Sequence, residues 1–172
     1  MDETVLDLRK VYGMKISYTK DQLPVSPDLP FEIIAELYPN GKSALHIHPH
    51  QEEYYKVVEG KMEVYLNGEW KQLNTGEEIT LPKGTIHGFR NTGTLNAVVF
   101  NKHSPGLRFG ESLEIMQRLV SEKKITGTTG LKNTIYLCLH TIKYADLLIL
   151  VKPPQSVVKF MAKLGGFLGY RI

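Results

Sequence analysis

Three histidines and a pair of glutamates stand in two short stretches near the middle of this 172-residue chain. His46 and His48 are one residue apart, so on a strand both rings leave the same face. Two such rings converge on one ion at about 2.0–2.1 Å per nitrogen. Glu52 and Glu53 follow after Pro49; being adjacent, they point to opposite faces, and at most one reaches the same point. In the second stretch His87 comes just after Pro82 and Gly84, one fixing φ and the other permitting φ > 0. Three neutral imidazoles and one carboxylate are the donor set of a mononuclear transition-metal site. Such donors suit Fe, Mn, Ni, Co or Zn, and affinity order alone selects none of them. One divalent ion so held keeps open positions for water, dioxygen or a substrate oxygen pair, and acts as Lewis acid, template or redox partner.

Around that donor set the residues predict a pocket. Alternation along 86–91 places Phe89 and Asn91 on the face of His87, and Tyr55 lies just beyond Glu53, so Tyr55 and Phe89 are candidates to line a cavity. An ordinary place in the core is the commoner role for each. His50, Glu52, Tyr55 and His103 are all available for acid–base work, but none is singled out, so catalytic residues stay unassigned.

The elements that must hold these residues read as short strands. Phe31, Ile33, Ala35 and Leu37 alternate with Glu32, Ile34, Glu36 and Tyr38, and Met62, Val64 and Leu66 alternate with Glu63 and Tyr65 up to Asn67-Gly68, a strong hairpin signal. Trp70, Ile79, Leu81 and the run 97–100 add strands at the spacing of an all-β barrel.

At these residues the sequence resembles the cupin superfamily. The first motif of that family is G(X)5HXH(X)3–4E(X)6G. His46, His48, Glu53 and Gly60 keep its spacing, with Gly41 one residue closer to His46 than the pattern asks. The second, G(X)5PXG(X)2H(X)3N, is matched in full by Gly76, Pro82, Gly84, His87 and Asn91. The resemblance covers roughly residues 31–102. It implies a mainly β fold, a double-stranded β-helix or jelly-roll barrel with the metal inside one end, and it selects Glu53 over Glu52 as the fourth ligand beside His46, His48 and His87. Only one motif pair is present, so a single-domain member is implied, and single barrels of this family commonly form homodimers.

The barrel is expected over residues 31–103, preceded by an N-terminal arm (1–30, with Pro24, Pro27 and Pro30) that packs on the barrel or on a second subunit. A helical C-terminal extension (104–172) is expected to follow. Its apolar spacing predicts helices over 112–123, capped by Ser112, over 133–151, and over 155–168. The middle one has His140, Lys143 and Asp146 on one stripe, which favours a buried amphipathic helix over a membrane span. Charge divides unevenly: eight Lys plus Arg against two Asp plus Glu follow Leu119, within an overall net charge of +3. The basic tail either solvates a helical cap or touches an anionic membrane surface, and the cap is preferred. No basic run or known motif points to nucleic acid. Cys138 is the sole cysteine and Met1-Asp2-Glu3-Thr4 lacks the order of a secretory signal, so a cytoplasmic protein without disulfides is expected.

Two functions of different kinds fit. One is a metal-dependent oxidoreductase of dioxygenase type acting on a small molecule. The other is a metal-containing module that binds or senses a small molecule without turnover. A barrel that keeps the motifs for fold alone is disfavoured, because inward imidazoles without a metal or full hydrogen bonding are costly.

Overall fold

Apolar–polar alternation governs the strands of this chain, whose computed structural model describes residues 3–22 and 26–172. Every second residue of β3 (Phe31–Leu37) is buried, from Phe31 through Ile33 and Ala35 to Leu37. In β10 (Ala97–Ser104) the same rule turns Ala97, Val99, Asn101 and His103 inward. The remaining barrel strands are β4 (His46–Ile47), β5 (Glu52–Glu59), β6 (Lys61–Leu66), β7 (Glu69–Asn74), β8 (Glu78–Leu81) and β9 (His87–Arg90). Asn67-Gly68 makes the two-residue turn that joins β6 to β7, as the hairpin signal predicts.

Residues expected to form an arm extend the barrel instead. Strands β1 (Glu3–Asp7) and β2 (Met14–Thr19) flank a short helix, α1 (Arg9–Tyr12), and β2 pairs with β3. Pro24 lies outside the described residues, with Met1, Asp2, Leu23 and Val25. Two antiparallel sheets result: β1-β2-β3-β10-β5-β8, and β4-β9-β6-β7 closed at one edge by β11 (Ile149–Leu150). Their facing sides enclose one core that includes Leu37, Val57, Met62, Val64, Leu81 and Val99. The motif residue Gly41 sits where two backbones touch: a Cβ there would meet the carbonyl oxygens of Gly13 and Tyr38.

The C-terminal extension contains α2 (Phe109–Ser121), α3 (Leu131–Lys143) and α4 (Gln155–Phe167). Helix α2 starts three residues before Ser112, whose Oγ faces His140 Nε2 at 3.2 Å and does not cap. The expected helix over 133–151 is corrected. It stops at Lys143, and Ile149–Leu150 forms a strand antiparallel to His46–Ile47. The apolar run that reads as helix in isolation finds an open sheet edge, and pairing there outweighs a weak helical preference. Among the described residues no helix is long and apolar enough to cross a membrane.

Candidate metal centre

Each sheet contributes one half of the site. From one, His46 in β4 lies directly across from His87 in β9, and His48 follows two residues after His46 on the same face. From the other, β5 carries Glu53 and Tyr55, while β10 sets His103 opposite Glu53 and Asn101 opposite Tyr55. His46, His48, Glu53 and His87 are all buried, and each offers one ligand atom within 4.8 Å of the others. Glu52 points out to solvent, as adjacency to Glu53 requires, and His50 is exposed away from the cluster.

Backbone carbonyls decide which ring nitrogen faces inward. Nδ1 of His46 lies 2.8 Å from the Ala44 carbonyl oxygen, Nδ1 of His87 lies 2.8 Å from that of Thr85, and Nδ1 of His48 lies 2.6 Å from that of Leu147. A carbonyl only accepts, so each Nδ1 carries the hydrogen and each Nε2 is left with a lone pair. The loop at Pro82 steadies this arrangement. Gly84 adopts φ +79°, which a side chain would strain, and its N–H donates to the His48 carbonyl at 2.8 Å.

The bare atoms then confront one another. Nε2 of His46 and of His48 are 3.2 Å apart, and Nε2 of His87 is 2.7 Å from Glu53 Oε2, which is 3.7 Å from His48 Nε2. Neighbouring ligands on an ion at 2.0–2.2 Å stand roughly 3 Å apart, so these separations suit one shared cation. Glu53 Oε2 and His87 Nε2 are buried without a hydrogen-bond partner. Lone pairs packed face to face beside a buried carboxylate are unfavourable until a positive charge enters. The residues therefore fit a divalent metal.

Electrostatics agree. Burial would raise the Glu53 carboxyl, but the imidazoles of His103, His87 and His48 hold it well below the usual carboxylate range. Burial lowers His46 to about 4, with His87 adding to the effect, and lowers His48 to about 3 against the pull of Glu53. Both rings are thus neutral near pH 7, as ligands must be. His87 is raised: burial opposes its charge, and Glu53 outweighs burial.

Glu53 has a second, differently occupied face. Its Oε1 accepts from Tyr55 Oη at 2.6 Å, from Asn101 Nδ2 at 3.0 Å and from His103 Nε2 at 3.1 Å. Three donors saturate that oxygen, so Oε2 alone is free for an ion. Tyr55 stays a neutral donor, since burial and the neighbouring carboxylate push its phenol well above 10. His103 stacks on Phe109 of α2, ring centroids 3.7 Å apart, and its Nδ1 is buried without a partner. Both sequence-proposed pocket residues line the adjoining cavity, Tyr55 and Phe89 meeting edge to face at 6.1 Å. Tyr55 is thus more than wall: its hydroxyl donates to Glu53. Asn91, the last motif residue, ties the loop after β9 to the Leu37 and Leu95 carbonyls, away from the cluster.

That cavity measures about 490 Å³. Barrel side chains such as Met14, Ile33 and Met62 form one part of its wall, and Leu113, Met116 and Leu147 of the extension form another. Sequence reasoning left Asn101 and the Leu147 carbonyl out of the site, and His103 without a role. Alternation through Ala97, Val99, Asn101 and His103 was the available signal for two of them. For Leu147 there was none, since a backbone acceptor 99 residues from His48 leaves no local pattern.

A double-stranded β-helix with three imidazoles and one carboxylate at its interior defines a class of single-barrel proteins whose inward donors could hold a metal. The comparisons agree: residues 33–101, about two-fifths of the chain, match the family model described as "Cupin domain", and the barrel they form is a cupin domain. Among curated proteins it is 38% identical over 64 residues to Protein SchB of Streptomyces halstedii (37% of this chain, 46% of that protein). It is 36% identical over 72 residues to "Polyketide synthase CurC" of Streptomyces cyaneus (42% and 47%). The chain thus spans about half the length of the curated relatives it matches. Among solved structures, a sugar phosphate isomerase of the cupin superfamily from Silicibacter pomeroyi superposes with a TM-score of 0.51 at 19% identity, covering 60% of this chain and 70% of that one. KdgF from Halomonas sp. superposes at 0.50 and 22% identity, covering 59% and 86%. These likenesses concern the fold.

Proposed function

We propose that this cupin is a metal-dependent enzyme acting on a small, largely apolar molecule that carries oxygen functions, with dioxygenase-type oxidation as its reaction. The observation that carries the reading is the set of four buried ligand atoms of His46, His48, Glu53 and His87, three of whose residues, His46, His48 and Glu53, line a mainly apolar cavity. His46, His48 and His87 would hold a divalent transition metal through Nε2 and Glu53 through Oε2, and the metal would supply Lewis-acid or one-electron chemistry at its remaining positions. The chain's own residues do the rest. Tyr55, Asn101 and His103 keep Glu53 ionised and occupy its Oε1, so that Oε2 is the oxygen that would hold the metal. The apolar wall excludes water, which strengthens polar contacts inside.

The chemistry of the cavity favours ring systems or chains with few oxygens over sugars, whose many hydroxyls would go unpaired against Met14, Ile33 and Met62. Two curated relatives carry polyketide synthase names, and polyketides are carbon frameworks of that kind. The test is metal analysis of protein purified without an affinity tag, followed by dioxygen uptake by the iron-loaded form against catechols, flavonols, thiols and keto acids. Uptake matched to substrate loss with one class is the expected result. Ligand binding without uptake by any metal form would overturn the enzyme reading in favour of a binding or sensing module.

A further inference from the structure

Helix α4 presents three distinct faces. Val158, Ala162 and Gly165 are buried against α3, where Gly165 leaves no space beside Ile135 for a Cβ. At 100° per residue, Lys159 and Lys163 share a second face. A third holds Val157, Phe160, Leu164, Phe167 and Leu168 on one stripe. That third face is uncovered: Val157 is 44% exposed, Phe160 65%, Phe167 87% and Leu168 53%. Isolated apolar side chains on a surface are ordinary, but two phenylalanines and aliphatic neighbours in register on one helix are a patch that something covers.

We propose that this face of α4 docks the protein on an anionic lipid surface. Charge decides the partner. Residues 147–172 contain Lys152, Lys159, Lys163 and Arg171 and not one Asp or Glu; all four cations are exposed, and none is in an ion pair among the described residues. A second copy of the chain laid on the stripe would bring Lys159 and Lys163 toward their own counterparts with no carboxylate on either α4 to meet them. A lipid headgroup layer answers both features, the phosphates meeting the lysines while the phenylalanines enter the acyl boundary. Because Gly165 fixes how closely α4 approaches α3, the stripe is held outward by packing and does not require the helix to detach.

The test is co-sedimentation of the full chain with vesicles of phosphatidylcholine and phosphatidylglycerol mixed two to one, against vesicles of phosphatidylcholine alone. Binding is expected to the first and not the second, and to fade at roughly 0.5 M salt, where the Debye length falls to about 4 Å. Each lysine near the surface is worth roughly five-fold in partitioning, so the double variant K159Q/K163Q should bind about 25-fold more weakly. The double variant F160S/F167S should lose binding while keeping its metal content and circular dichroism, since both side chains are exposed. Equal pelleting of the wild type with both vesicles, no pelleting with either, or unchanged binding of the lysine variant would overturn the proposal. A dimer by light scattering that F160S/F167S abolishes would assign the stripe to a second copy and overturn it as well. Lipid binding is read without metal or substrate, so its failure leaves the proposed reaction untouched.

Discussion

Replacing Tyr55 with phenylalanine tests whether Glu53 is a ligand held in place from behind. The ring stays, so no cavity opens, and only the hydroxyl that donates to Glu53 Oε1 at 2.6 Å is lost. Oε1 keeps the Asn101 and His103 donors at 3.0 and 3.1 Å, so the carboxylate is loosened and not abandoned. A hydrogen bond to a charged group contributes about 1.5–3 kcal/mol. If that support is expressed when Oε2 binds a cation, it corresponds to roughly ten-fold to a hundred-fold in affinity. Outer partners of metal ligands change affinity by about the same range when removed. Competition with a chromophoric chelator for manganese or zinc measures the effect directly. Tyr54→Phe is the control: its hydroxyl bonds Glu78 Oε2 at the surface, and its affinity should equal that of the wild type. A Tyr55→Phe affinity within two-fold of wild type would refute the assignment of Glu53 Oε2 as the metal-facing oxygen steadied through Oε1.

Two further outcomes follow from the geometry. Gly41→Ala should destabilise by about 1–3 kcal/mol in urea titration, because the new methyl would meet carbonyl oxygens of Gly13 and Tyr38 that belong to backbone and cannot swing away; an unchanged midpoint would mean the two segments are not in contact. Acid should destabilise the metal-free protein below about pH 6.5. His46 and His48 take up protons there when unfolded, but when folded only near 4 and 3, for their burial keeps them neutral. Their contribution is therefore full above 6.5 and is lost as pH falls toward those values, at up to about 2.7 kcal/mol per pH unit for two protons. Glu53, also lowered, acts in the same direction at still lower pH. His87, raised by Glu53, acts the other way, its contribution being full below its ordinary value and lost at higher pH. Urea midpoints that stay level between about pH 7 and 5 would contradict buried, neutral imidazoles.

Much of the candidate metal cluster could be located before any coordinates, because its positions follow local rules. A period of two puts His46 and His48 on one face, adjacency excludes Glu52 or Glu53, and a proline–glycine turn precedes His87. The same period made the inward face of β3 legible. Applied over the whole of β10 instead of only 97–100, it would have turned Asn101 and His103 inward as well. The helical tail was less readable. The residues after Lys143 carry Leu and Ile in a pattern compatible with helix, and only the free edge of β4 makes Ile149–Leu150 a strand.

By itself, then, the sequence determined the inward faces of several strands and the positions of three histidines, since each rests on spacing within a few residues; the barrel and the choice of Glu53 came from the resemblance of its two motifs to those of the cupins. Tertiary structure alone decided how those side chains are held. The carbonyl of Leu147, the pairing of β11 beside His46, the three donors on Glu53 Oε1, and the outward stripe of α4 all depend on segments tens of residues apart being brought together. Contacts of that kind are set by which edges and faces remain open after the local elements have formed.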